Sequence, residues 1–80
     1  MRLPRDLSGA QLIRALSILG YEATRQTGSH VRLSCKSPAQ HHVTVPMHDP
    51  LRIGTLASVL TAVAQAHGLT RDQLLLHLFG

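Results

Sequence analysis

The residues best suited to chemistry are Gly28-Ser29-His30, which set a histidine at the start of a short strand directly after a glycine turn. Imidazole has an unperturbed pKa of about 6.5, the side-chain value nearest neutrality, so a fixed and solvent-reached His30 is a ready general base or acid. Arg32 follows two residues along, hence on the same face of a strand, where its guanidinium can fork onto a phosphate. His48 lies in Pro46-Met47-His48-Asp49-Pro50, a loop that its prolines restrict without regular hydrogen bonding. Each residue also has a plainer reading. A histidine that opens a strand is often a solvated side chain, Gly28 can simply serve a hairpin turn, Arg32 can be a solvated sheet cation, and the Pro-x-His arrangement can only stiffen its loop.

Composition narrows the choice. Eighty residues make one domain, read here as 1–80, and a chain of this length buries about 60 to 65% of the surface its unfolded form exposes. The resulting core is thin and leaves little room for a deep, enclosed cofactor pocket, so a shallow surface site fits better. Eight Lys and Arg against four Asp and Glu give a net charge of +4, and seven of the eight cations are Arg, the better phosphate fork. A polyanionic partner is therefore favoured, although a basic, soluble surface explains the charge equally well. Cys35 is the single cysteine, which rules out an internal disulfide and fits a reducing compartment. Met1 to Ala10 lacks the apolar run of a signal peptide, and no stretch approaches the roughly 20 apolar residues of a membrane span. A cytoplasmic location is expected.

The elements that must position the site are legible as patterns. Ser8 and Gln11 form a capping-box pair for a helix running to about Leu19, with Leu12, Ile13, Leu16 and Leu19 at helical spacing and Gly20 at its end. Tyr21 to Gln26, His30 to Cys35 and His41 to Val45 alternate and are separated by turn residues, as in a three-stranded antiparallel meander. If Gln26 faces His30 across a three-residue loop, the pairs Tyr21/Cys35, Ala23/Leu33, Arg25/Val31, Leu33/Val43 and Val31/Val45 share one face. Arg25 is the misfit on that oily side, and Pro46 falls opposite His30. The other side carries His30, Arg32, Ser34, His42 and Thr44.

An apolar sheet face needs a cover. Thr55 can cap a second helix to about His67, with Leu56, Val59, Leu60 and Val63 on one stripe, and Thr70 with Gln73 caps a short third helix carrying Leu74, Leu75 and Leu78. The expected fold class is α+β, ordered helix, three strands, helix, helix, with the helices on one face of the sheet.

Four sequence features now fall in order: a first helix ending Leu19-Gly20-Tyr21, then Gly28-Ser29-His30, then Val45-Pro46-Met47-His48, then Gly54-Thr55-Leu56. Together they resemble the HicA-type toxins of bacterial toxin-antitoxin pairs, small RNA-cleaving proteins with a double-stranded-RNA-binding-domain-like fold. The resemblance covers most of the chain. It implies cleavage of messenger RNA without a metal, His30 as the catalytic residue, and a HicB-type antitoxin that covers the active face. The chain departs from the family in having Arg52-Ile53 where Lys is frequent, and in continuing past Gly68 into a longer C-terminal helix.

The implied chemistry agrees with the residues. RNA carries its own nucleophile, the 2′-hydroxyl. An enzyme of this kind has to remove that proton, neutralise the crowded phosphate and protonate the leaving oxygen, so neither metal nor cofactor is required. His30 serves as base or acid, Arg32 neutralises phosphate, Ser29 and the Gly28 backbone admit RNA closely, and His48 is a further RNA-contact candidate. Other histidines fit less well. His41, His42 and His48 match no common structural zinc spacing, and His42 stands about 13 Å along the sheet from His30 at roughly 3.3 Å per residue. His67 and His77 lie near helix C-termini, where a charged imidazole suits the dipole. No carboxylate is placed to make Ser29-His30 part of a hydrolase triad. Two other functions remain open at this level: a non-catalytic RNA-binding module of the same fold, and a protein-interaction domain that has lost RNA activity.

Overall fold

The computed structural model describes residues 3–80, so Met1 and Arg2 of the N-terminal stretch lie outside it. Helix α1 spans Gly9–Leu16 and opens with the reciprocal cap expected of its sequence: Gln11 N donates to Ser8 Oγ at 3.1 Å, and Ser8 N donates to Gln11 Oε1 at 2.9 Å. The helical run does reach Leu19, but its last turn tightens into a 3-10 segment, Ser17–Leu19, which stops at Gly20 with φ +87°. Only glycine takes that left-handed conformation without strain.

Strands β1 (Glu22–Thr27), β2 (His30–Cys35) and β3 (His41–Pro46) form one antiparallel sheet in the order β1-β2-β3. Between β2 and β3 the register is the expected one, with Leu33 opposite Val43, Val31 opposite Val45 and His30 opposite Pro46. The β1–β2 register requires a correction. Ala23 pairs with Leu33 as anticipated, but the next pairs are Arg25/Arg32, Gln26/Val31 and Thr27/His30, so Thr24 is an extra residue in a β-bulge. The hairpin loop accordingly has two residues, Gly28 and Ser29, rather than three.

The physical reason lies in the misfit itself. An unbroken ladder sets the Arg25 guanidinium on the oily side, whereas one extra residue turns it away. Gln26 takes the position opposite Val31 and satisfies its side-chain amide locally, Nε2 donating to Gly28 O at 3.1 Å.

Helix α2 (Ile53–His67) starts two residues before the Thr55 cap read from the sequence, and Arg52 at its N-cap supplies no side-chain bond. The start is set by tertiary anchoring: Leu51 is buried and its N–H donates to Leu7 O at 2.7 Å, so the chain turns into a helix straight after this tie. Helix α3 (Arg71–Phe79) has its expected capping box, Thr70 with Gln73. Both α1 and α2 pack on β3, and α3 packs on α1 and α2. The core joins Leu12 and Leu16 of α1, Leu33 and Val45 of the sheet, Leu60 of α2 and Leu74 of α3, all at 0% exposure. Every residue of β1 is exposed, Ala23 included, so the helical cover does not extend to that edge.

The approach of α1 to the loop after β3 has no counterpart in the sequence reading. Gly9 N donates to His48 O at 2.8 Å, and a Cβ at Gly9 would stand 2.1 Å from Pro46 O. The first turn of the helix therefore rests backbone to backbone on this loop.

Candidate active site

His30 opens β2 on the solvent-facing side of the sheet, and its ring is exposed. Gly28, at the first central position of the two-residue turn before it, has φ +58°, the conformation a type II′ hairpin turn demands there. Nothing lies within 4 Å of where a Gly28 Cβ would be, so backbone conformation rather than crowding requires the glycine, and the turn stands open. On its other side the turn is tied down: Met47 N donates to Ser29 O at 2.6 Å, extending the β2–β3 pairing beyond His30/Pro46. Turn, histidine and loop are thus held in one place by backbone bonds, and the Gly9–His48 bond fixes the loop to α1.

Of the sequence candidates, Gly28, Ser29 and His30 are brought together with the backbone of the His48 loop. The His48 side chain is exposed, and no hydrogen bond joins its ring to that of His30. Arg32 lies one step along the same face, opposite Thr44, with its side chain exposed. Farther along, Thr24, Ser34 and His42 form a chain across all three strands. Thr24 Oγ1 donates to Arg32 O at 3.3 Å and lies 3.1 Å from Ser34 Oγ, which in turn is bonded to His42 Nδ1. One proton order satisfies every group: His42 N–H to Ser34, Ser34 O–H to Thr24, Thr24 O–H to the Arg32 carbonyl. These groups line an open groove of about 710 Å³ that also takes in Arg25 and Lys36. Arg25 is the member that sequence reasoning missed, although its misfit in a regular register was the available signal.

The opposite end of the sheet carries a different polar cluster on the core side. Tyr21 Oη is 2.7 Å from His41 Nδ1 and 3.1 Å from His67 Nε2, and the Cys35 thiol sits 3.9 Å from the same His67 nitrogen. Burial pushes the Tyr21 hydroxyl well above its usual range, with the neighbouring Cys35 adding to the effect. Desolvation lowers the His67 pKa, and the nearby His41 lowers it further. His67 does stand in the last turn of α2, as its place in the sequence suggests, but burial lowers its pKa and so opposes the favourable effect that the helix C-terminus has on a charged imidazole. Among the described residues no three His, Cys, Asp or Glu side chains are grouped to share a metal ion.

This cluster makes stability depend on pH. A histidine whose folded pKa is depressed binds protons more readily in the unfolded chain, so its contribution is complete above the unfolded value of about 6.5 and is lost as pH falls through the folded value. Melting temperature should decline as pH drops from about 7.5 through 6.5 and below, and a His67→Gln variant should show a shallower decline. Parallel curves for the two proteins would contradict this account of His67.

A helix, three antiparallel strands and a helix, with both helices on one sheet face, is the double-stranded-RNA-binding-domain-like architecture, extended here by α3. Residues 9–66 match the family model for the HicA toxin of bacterial toxin-antitoxin systems, and the chain belongs to that family. Toxins of this family act on RNA as ribonucleases and are paired with an antitoxin. The match ends in the last turn of α2, leaving α3 and the residues before Gly9 outside it. No curated protein and no solved structure matched the chain closely enough to add to this. No helix among the described residues is long and apolar enough to cross a membrane.

Proposed function

We propose that this chain is the mRNA-cleaving toxin of a toxin-antitoxin pair, acting in the cytoplasm through the open face of its sheet, with His30 as the acid-base catalyst and no metal ion in the reaction. The observation that carries this reading is the placement of His30. It is exposed on the polar face, held by strand pairing, and flanked by an open glycine turn and by Arg32.

In the proposed reaction His30 accepts the proton of a ribose 2′-hydroxyl as that oxygen attacks the adjacent phosphorus. The P–O5′ bond breaks, and the leaving oxygen takes up a proton, giving a 2′,3′-cyclic phosphate and a 5′-hydroxyl. Arg32, two residues along the same face, grips the RNA backbone beside the reacting group. Its positive charge favours the negative charge that builds on the reacting phosphate, an effect worth most where water is partly displaced by the bound strand. The Gly28-Ser29 turn lets the sugar-phosphate chain approach without a side chain in the way, and His48, on a loop tied to that turn, contacts the same strand. An antitoxin of the HicB type inhibits by covering this face.

Product analysis tests the reading. Cleavage of a defined RNA should persist undiminished in excess chelator and leave 2′,3′-cyclic phosphate ends. Activity that disappears with chelator and returns with zinc, or products ending in a 3′-hydroxyl, would overturn it.

A further inference from the structure

The bulge in β1 places two arginines side by side. Arg25 and Arg32 are direct cross-strand partners, and both line the groove on the polar face. Like charges directly opposite each other on neighbouring strands destabilise a sheet. This arrangement is nevertheless held firmly, because Thr24, the extra residue, bonds the Arg32 carbonyl and reaches Ser34 through its hydroxyl. The bulge thus spends an irregularity of the ladder to move Arg25 from the oily side to a position beside a second guanidinium. Bulges that re-aim a side chain recur next to functional sites. Lys36 adds a third cation to the groove, and Glu22 is the one carboxylate among its described lining residues.

We infer that Arg25 and Arg32 form a phosphate clamp, and that the groove takes the backbone of single-stranded RNA leaving His30. This rests on the reading of the chain as a ribonuclease in naming RNA as the ligand. Charge complementarity selects the occupant: paired guanidiniums fork onto phosphate oxygens, and an anion between them removes the repulsion that the free protein carries. Geometry fixes its place. Arg32 stands about 6.6 Å along β2 from His30 at roughly 3.3 Å per residue, so the clamped phosphate is a neighbour of the one being cleaved. The groove excludes His30 itself and continues toward Lys36, which gives the strand a direction across the sheet. The Thr24, Ser34 and His42 groups on its floor offer hydroxyl and imidazole partners to ribose or base edges.

The test reads binding and not cleavage. A labelled 2′-O-methyl RNA strand has no free nucleophile, so it can be titrated against the otherwise wild-type protein and against Arg25→Gln, Arg32→Gln and the double variant. Each single change should weaken binding about tenfold, as expected for loss of a charge-assisted contact. With one phosphate shared, each single change should flatten the slope of log K against log salt by less than about 0.7, and the double variant by about 0.7, the share of one phosphate on a single strand. If both arginines grip one phosphate, the double variant should lose clearly less than the product of the two single losses. Arg25→Lys should keep the salt slope and lose part of the affinity, which guards against misreading a folding defect in Arg25→Gln.

Unchanged binding in Arg25→Gln beside weakened binding in Arg32→Gln would overturn the clamp and leave the ribonuclease reading intact. Strictly multiplicative losses would refute the shared phosphate. Insensitivity of RNA binding to both changes, with loss of binding to an acidic partner protein instead, would mean the groove faces protein and would also overturn the proposal.

Discussion

His30→Ala is expected to slow RNA cleavage by about a hundred- to ten-thousand-fold, the usual contribution of a positioned acid-base group, while thermal unfolding stays close to wild type. The two halves of this expectation have separate causes. The imidazole is exposed and makes no hydrogen bond to any described residue, so its removal takes nothing from the core. The strand position is kept by backbone pairing to Thr27 and Pro46, which alanine preserves. Single-turnover cleavage of a short RNA, measured beside a melting curve, checks both. A variant that cleaves at the wild-type rate refutes the catalytic assignment, and one that unfolds at a much lower temperature returns His30 to a structural role.

Gly9→Ala is expected to cost about 3 kcal/mol of stability, against a total of only roughly 4–12 kcal/mol for a domain of this length. Helix propensity alone predicts the opposite sign, since alanine is favoured over glycine in a helix by about 1 kcal/mol. The collision decides. An added Cβ meets Pro46 O at 2.1 Å and Met47 Cα at 3.0 Å, and both are backbone atoms that no rotamer change can move aside. Relief requires α1 to lift from the loop, stretching the Gly9–His48 bond and loosening the segment next to the Gly28-Ser29 turn. Cleavage should therefore fall along with stability. Chemical denaturation measures the first effect, and a neutral or stabilising Gly9→Ala would show that this approach is not as close as described.

Local signals made much of the fold legible. Capping boxes at Ser8/Gln11 and Thr70/Gln73 and the left-handed stop at Gly20 involve only neighbouring residues, and they stand where the chain announces them. The β2–β3 register was readable because Val31, Leu33, Val43 and Val45 must all face the core. Alternation could not reveal the bulge, since parity presumes an unbroken ladder, and a single extra residue at Thr24 inverts every later assignment in β1. The start of α2 was misplaced for a related reason: its cause is a bond from Leu51 to Leu7, distant in sequence and invisible to a search for capping residues.

The same division holds for the site. Gly28-Ser29-His30 is a contiguous motif in which turn conformation and exposed histidine belong together, so it was open to sequence reasoning. Arg25 joins the polar face only through the bulge, and the pinning of the His48 loop by Gly9 depends on a long-range backbone approach. Tyr21, His41 and His67 lie far apart in the sequence, and only their packing shows that burial and the neighbouring His41 lower the pKa of His67.

The central claim is that the His30 face cleaves RNA and thereby makes the chain toxic. Induced expression in cells of the wild type beside His30→Ala, at matched protein levels, tests it most directly, with growth and full-length mRNA followed together. The account predicts growth arrest and loss of intact mRNA with the wild type and neither with the variant. Arrest and mRNA loss that persist undiminished in His30→Ala would contradict it.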